Sequence, residues 1–361
     1  MKRILAVLLC WVSFPLVASH IVGAEFEILH IEGYTYRINL IIYFDEVNGV
    51  QANKAQDAII KAEIFRVSNR GFVSEVFLPF TSITDVMYTK SECAIGELKT
   101  SRMYYTTLHE MPPEVYGDPG GYYIVWERCC RNYNITNIYS LPPEQSPTKA
   151  AGQSFFLKFP PVVKDGVPFV NSSPRLFPPL SDYACINQPY YADFAGTDDD
   201  GDSLAYSVVT PLSTHSFGPY PEVEPEPYPL VSWPLVQWRP GYGPGNIIGG
   251  LPDLKVSNEG LLTVTPGNKV GIFVFAVKCE EFRDGVKIGE IRRDFQMLVQ
   301  DCKEAVAPKI LGKTPDGIYS EGGLRVVFPV STPDEDRCVT VKVTDADAFR
   351  QTDGSKETVF I

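Results

Sequence analysis

The amino-acid sequence predicts an all-β protein made of tandem immunoglobulin-like β-sandwich domains that are cross-linked by disulfides. Apolar and polar residues alternate with a period of two along most of the chain, which is the pattern of half-buried strands. Clusters of Gly, Pro and Asn separate these segments, and the 361 residues include 30 Pro and 28 Gly. Cysteines recur after an N-terminal export signal, and an oxidising compartment favours disulfides.

Residues 1–19 have the three parts of a signal peptide. Lys2 and Arg3 form a basic start, an apolar run follows up to Val17, and small residues precede the expected cleavage after Ser19. A membrane anchor is the alternative, but about 20 apolar residues are needed to span a bilayer, and Pro15 interrupts this shorter run. We therefore expect a mature chain without a transmembrane segment.

The first domain is predicted over residues 20–165, with about seven strands separated by turn residues. Tyr34 to Phe44 shows the clearest alternation, because every second residue from Tyr36 onward is apolar. The other predicted strands are Phe26 to Ile31, Ala58 to Val67, Phe72 to Phe80, Arg102 to His109, Tyr122 to Cys129 and Gln153 to Phe159. A short helix over Ala52 to Lys61 is a competing prediction for part of this region.

A second immunoglobulin-like or cadherin-like domain is predicted over residues 166–302. Its strands are Tyr190 to Phe194, Leu204 to Val209, Val270 to Cys279 and Lys287 to Gln300. Arg283-Asp284-Gly285-Val286 lies between the last two, and Asp-Gly between two alternating runs predicts a β-hairpin. Residues 303–361 are too few for a complete sandwich, so they predict a small or partial third β domain with strands at Gly323 to Phe328 and Cys338 to Val343.

The formal net charge of −12 argues against nucleic-acid binding, because that affinity comes largely from Lys and Arg that neutralise phosphates. An acidic exterior suits a soluble protein outside the cell and permits divalent-cation binding. The expected partner is a protein or a polysaccharide at the cell surface.

Seven cysteines remain once Cys10 is removed with the signal peptide. The disulfide candidates are Cys93, Cys129, Cys130, Cys185, Cys279 and Cys302, and Cys338 is the seventh thiol. Because adjacent strand residues point to opposite faces, Cys129 and Cys130 are expected to reach different partners. Cys93 is assigned to one of them and Cys185 to the other, although the sequence does not fix the connectivity. The cysteine spacing and the scattered histidines argue against a zinc-thiolate site.

An ordered set of short phrases between residues 19 and 302 resembles a family of exported Bacteroidetes surface proteins that is associated with gliding motility and type IX secretion. The phrases are Ser19 to Glu25, Tyr34 to Phe44, Arg128 to Asn132, Asn171 to Pro174, Cys185 to Pro189, Thr197 to Leu204, Cys279 to Gly285 and Arg292 to Phe295. The resemblance implies an adhesin-like or structural surface protein with immunoglobulin-like, cadherin-like or polycystic-kidney-disease-like modules. It implies no catalytic activity.

Four aspartates within five residues, Asp198, Asp199, Asp200 and Asp202, form the strongest candidate for a metal site. With Asp193 on the preceding strand, the carboxylates of Asp198, Asp200 and Asp202 are candidate calcium ligands, because calcium binds six to eight oxygen atoms. The alternative is a plain β-turn in which Asp caps backbone amides and Gly201 supplies a positive φ.

A long segment rich in Pro and aromatic residues runs from Pro211 to Gly250. Long loops within a domain are often functional, and exposed aromatic rings suit contacts with sugars or proteins. The candidate partner-binding residues are Tyr220, Tyr228, Trp233, Trp238 and Tyr242. The alternative is that Trp233 and Trp238 pack down onto the edge of the sandwich.

Sequence motifs of the common hydrolases are absent, and we predict no catalytic residue. Glu280 and Glu281 are adjacent, but strand geometry points them in opposite directions, so both are interpreted as charges at the end of a hairpin. The predicted function is that of a non-enzymatic secreted or cell-surface protein, with a link to gliding motility or surface attachment. The alternative is a secreted carbohydrate-active or proteolytic enzyme with accessory sandwiches.

Overall fold

The computed structural model describes residues 21–46, 57–86, 99–143, 145–179, 183–215, 233–302, 309–313, 319–321, 327–333, 337 and 341–344. The chain divides into two compact units, Met1–Asp301 and Cys302–Ile361. In the described parts the only helical segments are α1 (Pro113–Tyr116) and a 3-10 helix (Pro147–Lys149). None of the helices in these parts is long and apolar enough to cross a membrane. The all-β prediction is confirmed.

The strands are numbered in chain order. They are β1 (Ile21–Glu32), β2 (Thr35–Asp45), β3 (Ile59–Arg66), β4 (Phe72–Asp85), β5 (Thr100–Glu110), β6 (Tyr122–Arg128), β7 (Gln153–Phe159), β8 (Val163–Lys164), β9 (Val167–Pro168), β10 (Arg175–Leu176), β11 (Ala184–Cys185), β12 (Tyr190–Asp193), β13 (Gly196–Thr197), β14 (Ser203–Val209), β15 (Lys255–Val256), β16 (Leu261–Val264), β17 (Gly271–Arg283), β18 (Val286–Gln300), β19 (Lys309–Lys313), β20 (Tyr319–Glu321) and β21 (Val341–Thr344).

Eight strands of the first unit form a closed circuit of hydrogen-bonded neighbours, which we call the strand ring. The order is β1-β2-β5-β4-β3-β6-β7-β18, and β18 pairs in turn with β1. Every pair in the ring is antiparallel. β17 and β14 extend the sheet from the other edge of β18. Smaller sheets, β10-β13, β12-β16-β15 and β8-β9, complete the described part of this unit.

One edge of β18 is shared by three strands in succession. Glu290 to Arg292 pair with β7, the next residues Asp294 and Phe295 pair with β1, and Val299 and Gln300 pair in parallel with β11. The β1 backbone approaches closely because Gly23 has no side chain, and a Cβ atom there would collide with the carbonyl oxygen of Asp294. β18 therefore closes the ring.

Alternation along the ring strands divides the side chains between two apolar clusters. On β6, Ile124 and Trp126 join the main core. Tyr123 and Val125 point to the other face, where they form a second cluster with Phe65, Phe156 and Leu212. Both faces of β6 are therefore covered, and all seven of its residues are buried.

The predicted hairpin at Arg283-Asp284-Gly285-Val286 is confirmed. Arg283 lies opposite Val286, and the two turn residues have φ values of 52° at Asp284 and 76° at Gly285. Positive φ at both central positions defines the turn that matches the twist of the flanking strands. The two strands it joins have 13 and 15 residues.

Two buried ion pairs flank the ring closure on β18. Arg293 donates to Glu25 on β1, and Glu25 also accepts a hydrogen bond from the Tyr43 hydroxyl at 3.0 Å. Asp294 accepts hydrogen bonds from both terminal nitrogens of Arg131. The Nε of Arg131 donates to the Gly152 carbonyl oxygen at 2.7 Å. Neither arginine is exposed to solvent. The guanidinium groups also donate to the backbone carbonyl oxygens of Gly152, Leu212 and Phe177, which lowers the cost of burying the two charges.

The ring crosses the predicted boundary between the first and second domains. β7, before residue 165, pairs with β18, so residues 20–165 and 166–302 share one sheet and do not form two separate sandwiches. The tandem immunoglobulin-like arrangement is therefore not confirmed. The second unit begins at Cys302 and contains the three-stranded sheet β20-β19-β21.

Several other predictions fall partly or wholly outside the described residues, among them the strands at Gly323 to Phe328 and Cys338 to Val343. Part of the predicted helix over 52–61 lies outside them, and the remainder enters strand β3. The predicted signal peptide, residues 1–19, also lies outside them.

Replacement of Arg131 by Met should destabilise the fold by about 3–5 kcal/mol, because Asp294 would keep a buried charge without a partner. Lys99→Met is the control, because its ion pair with Asp85 is 56% and 74% exposed and should contribute about 0–1 kcal/mol. Urea denaturation of both variants gives the comparison. Equal losses in the two variants would show that the buried pair does not stabilise the ring closure.

Candidate functional site

The acidic turn after β13 is organised by Asp198. Its Oδ1 accepts hydrogen bonds from the backbone amides of Asp200 and Asp202, both at 3.0 Å, and Gly201 has a φ of 82°. These contacts are the ones expected of the plain β-turn alternative.

The four calcium candidates do not converge on one point. Asp202 pairs with Arg283 through two hydrogen bonds of 2.8 and 2.6 Å, and Asp200 accepts the backbone amide of Ser172 at 2.5 Å. Asp193 lies on β12, in another sheet, and caps the backbone amide of Ala195 at 2.9 Å. Within the described residues, Asp193 and Asp200 are not part of the group of carboxylates that lie close enough to share an ion.

The structure instead brings Glu281 to Asp198 and Asp202, with one oxygen of each within 4.8 Å of the others. Glu281 is 1% exposed and accepts the side-chain amide of Asn171 at 2.8 Å, so its interpretation as a hairpin-end charge was wrong. Burial, together with the charges of Asp198 and Asp202, raises the pKa of Glu281 to about 8. Alternation was the available signal, because it points Glu281 inward and Glu280 outward.

A proton on Glu281 resolves the repulsion within this acidic group. Its carboxyl group shares a hydrogen bond with Asp202, whose charge is already matched by Arg283. Three carboxylates could also hold a cation, but calcium favours six to eight oxygen ligands. Calcium binding at Asp198 and Asp202 stays a prediction.

The free energy of unfolding should fall as the pH rises from about 4.5 to about 8, because the folded protein keeps the Glu281 proton that the unfolded chain loses. Glu281→Gln should remove this part of the dependence of the free energy of unfolding on pH. Glu280→Gln is the control: burial opposes the shift, but hydrogen bonds from Lys278 and Lys287 lower the pKa of Glu280, so its titration lies below this window.

Chemical denaturation at pH 5 and at pH 8 gives the change in the free energy of unfolding between these two pH values. A slope that Glu281→Gln leaves unchanged would contradict the buried proton. A slope that disappears when calcium is added to the unaltered protein would favour a cation in its place.

Cys129 and Cys130 form a disulfide with each other, so the prediction that they reach different partners was wrong. The prediction placed Cys129 on a strand, whereas β6 ends at Arg128 and strand alternation does not apply to the next two residues. The bond is buried, with the two residues 1% and 2% exposed, and it packs against Tyr133.

The other cysteines differ in state. Cys185 and Cys302 are disulfide-bonded. Cys279 is a free, buried thiol, so its assignment as a disulfide candidate was wrong, and burial raises its pKa to about 12. It packs in the main core. Cys93 and Cys338 lie outside the described residues.

Iodoacetamide should leave Cys279 unmodified in the folded protein, because the thiol is buried and protonated at neutral pH. After unfolding without a reductant, Cys279 should be modified, whereas Cys129, Cys130, Cys185 and Cys302 should react only after reduction. Mass spectrometry of the peptides locates each label. Modification of Cys129 or Cys130 before reduction would contradict the adjacent disulfide.

The predicted aromatic loop is described over residues 211–215 and 233–250, and Tyr220 and Tyr228 lie outside the described residues. Trp233 packs edge-on against Tyr123 with ring centroids 5.4 Å apart, and it also contacts Phe156 at 6.0 Å. Tyr242 packs edge-on against Phe273 at 6.0 Å. Trp238 is partly buried against the main core. The packed arrangement is therefore the observed one, although Trp233 remains partly exposed.

Glu127 holds Trp233 in place, and no sequence pattern indicated this role. Glu127 lies on β6 and is 1% exposed. Its Oε1 accepts three hydrogen bonds, from the indole N–H of Trp233, from Nδ1 of His215 at 3.0 Å and from the hydroxyl of Ser154 at 3.1 Å. A buried carboxylate is stable with several donors around it. The indole is thereby fixed above the second apolar cluster.

A cavity of about 380 Å³ opens beside this anchored indole, and we call it the aromatic cavity. It lies over the outer faces of β6, β7 and β18. Its lining includes Arg70, Tyr123, Phe156, Lys158, Trp233 and Arg292. Three aromatic rings therefore meet three cationic side chains.

A second cavity of about 510 Å³ adjoins the first, because Val67 and Lys158 line both. We call it the glycine cavity. Its lining includes Gly120, Gly121, Lys158, Lys164, Asp165 and Lys287. The two cavities together, named the groove below, have volumes typical of ligand sites.

Neither a protein-family model nor a curated protein matches the chain. Among solved structures, extracellular domains 3–5 of Drosophila OTK match with 9% sequence identity over 95% of this chain and 98% of that chain, with a TM-score of 0.18. A score this low carries no argument about fold or function.

Proposed function

We propose that this protein acts outside the cytoplasm as a non-enzymatic, adhesin-like or structural surface protein, and that the groove contacts its partner. The partner is a protein or a polysaccharide of the cell exterior. The observation that carries the proposal is the groove itself, a concave surface in which fixed aromatic rings lie beside cationic side chains. A link to gliding motility or surface attachment follows from the sequence resemblance alone, and the immunoglobulin-like nature of the modules stays a prediction.

The chemistry of the groove favours binding over hydrolysis. Hydrolases need convergent acids, bases or nucleophiles at the bottom of a cleft. Among the described residues that line the groove, Asp165 is the one carboxylate, and it lies in the exposed turn between β8 and β9. The buried Glu127 is close by, but its Oε1 accepts three protein donors. A carbohydrate-active or proteolytic enzyme remains the alternative function.

Disulfides support a location outside the cytoplasm. Cys129 is bonded to Cys130, and both Cys185 and Cys302 are bonded as well. Disulfides persist in oxidising compartments and are rare where cellular thiols keep cysteines reduced. The predicted signal peptide, residues 1–19, is consistent with that route of export.

The mature chain should bind surface polymers without converting them. Purified protein starting at His20 is incubated with a panel of soluble polysaccharides and with an unfolded protein, and retention and product release are measured in the same samples. We expect retention of at least one polymer and no release of reducing ends or peptides. Product formation that scales with protein concentration would overturn the proposal in favour of the enzyme alternative.

A further inference from the structure

The aromatic cavity concentrates positive charge on a protein with a formal net charge of −12. Arg292 is neutralised by Glu290 at 2.8 Å. Arg70 and Lys158 have no ion pair with any described residue, and Lys158 lies over the ring of Phe156 at 5.7 Å. Desolvation lowers the pKa of Lys158, and the charges of Lys287 and Arg292 also lower it, whereas Glu290 raises it. An anion bound beside Lys158 would relieve this unfavourable environment.

Tyr123 lines the same cavity, and its buried hydroxyl has no hydrogen-bond partner among the described residues. Tyr123 is 4% exposed, and its hydroxyl oxygen finds no donor or acceptor among the described residues. Burial raises its pKa to about 12, so the hydroxyl keeps its proton and can donate it. Buried polar groups almost always have partners, so the unpaired hydroxyl beside the cavity is a candidate contact for a ligand or an ordered water. A ligand with hydroxyl or carboxylate oxygens would supply the acceptor.

Trp233 supplies a rigid apolar wall to the cavity. Its indole N–H is committed to Glu127, and its ring is braced by Tyr123 and Phe156. The exposed part of the ring can accept the flat C–H face of a sugar, because that face is apolar and the ring offers a large contact area. The ring is already fixed, so binding costs little side-chain entropy.

The glycine cavity continues the line of cations. Lys158 lines both cavities, and Lys164 and Lys287 lie beyond it. Lys287 is paired with Glu280 and Glu290, whereas Lys164 is exposed over the ring of Phe169 at 5.7 Å. Cationic groups spaced along two connected cavities match a ligand with repeated negative charges. A polymer fits this arrangement better than a single small anion.

We propose that the groove binds a carboxylated polysaccharide, with one uronic acid unit seated against Trp233 and Tyr123 and its carboxylate between Arg70 and Lys158. The proposal rests on the proposed function and names the class of its ligand. Neighbouring acidic units extend past Lys158 into the glycine cavity. The sugar hydroxyls provide acceptors for Tyr123.

An acidic peptide satisfies fewer of these features. Its carboxylates would pair with Arg70 and Lys158, but Asp and Glu side chains have no broad apolar face for Trp233. A neutral polysaccharide has that face but leaves both cations unpaired. The combination of an aromatic wall with unpaired cations favours a sugar that bears the charge itself.

The test measures binding of the mature chain to polygalacturonate, to its fully methyl-esterified form and to polyglutamate, by affinity electrophoresis at low and high salt. We expect binding to polygalacturonate that weakens with salt, and at least tenfold weaker binding to the other two polymers. Lys158→Met should weaken it about ten- to hundredfold through loss of a charge-assisted contact. Tyr123→Phe should weaken it about two- to tenfold.

Lys255→Met is the matched control, because Lys255 is exposed on β15, in a different sheet. It should bind like the unaltered protein, and thermal unfolding must show that all three variants are folded. Equal affinity for the methyl ester or for polyglutamate would overturn the proposal, as would unchanged binding by Lys158→Met. If polygalacturonate does not bind while the polymer panel above still shows retention without turnover, the ligand class fails and the proposed function stands.

Discussion

The structure depends on the closure of the strand ring along β18. One edge of this strand serves β7, β1 and β11 in turn, so a shift of its register would break three pairings at once. Gly23 permits the close approach of β1 to Asp294. On either side of the contact, Arg293 pairs with Glu25 and Asp294 with Arg131, and a misplaced strand would leave buried charges unpaired. The register is therefore fixed by backbone fit and by charge together.

Closure of the ring also explains the position of the groove. Side chains of β6 and β7 that point away from the core, among them Tyr123 and Phe156, are apolar and need a cover. Leu212 and Trp233 cover these side chains. Glu127 fixes the indole of Trp233 by accepting a hydrogen bond from its N–H group. The cover is incomplete at the side where the strands present cations, and the aromatic cavity opens there. The groove is thus formed where one small apolar cluster ends.

Local patterns predicted the strands well, and long-range contacts account for what they missed. Alternation located the seven strands of the first domain and the hairpin at Asp284-Gly285, because both depend on neighbouring residues. The pairing of β7 with β18 joins distant segments, so no local pattern could show that the predicted domains share a sheet. The Glu281 environment and the anchoring of Trp233 by Glu127 depend on the same distant contacts. The adjacent disulfide was missed because β6 was predicted one residue too long.

The formal net charge of −12 does not describe the charge at the groove. The excess of acidic residues suggested divalent cations, but several of those acids are buried and matched by arginines, as Glu25 and Asp294 are. Glu281 is matched by a proton, since burial beside Asp198 and Asp202 raises its pKa to about 8. Such acids contribute little to the field outside the protein. A ligand at the groove responds to nearby charges within about 8 Å at physiological salt. In the aromatic cavity the charged side chains without an ion pair to a described residue are Arg70 and Lys158, so a local preference for anions is consistent with an acidic chain.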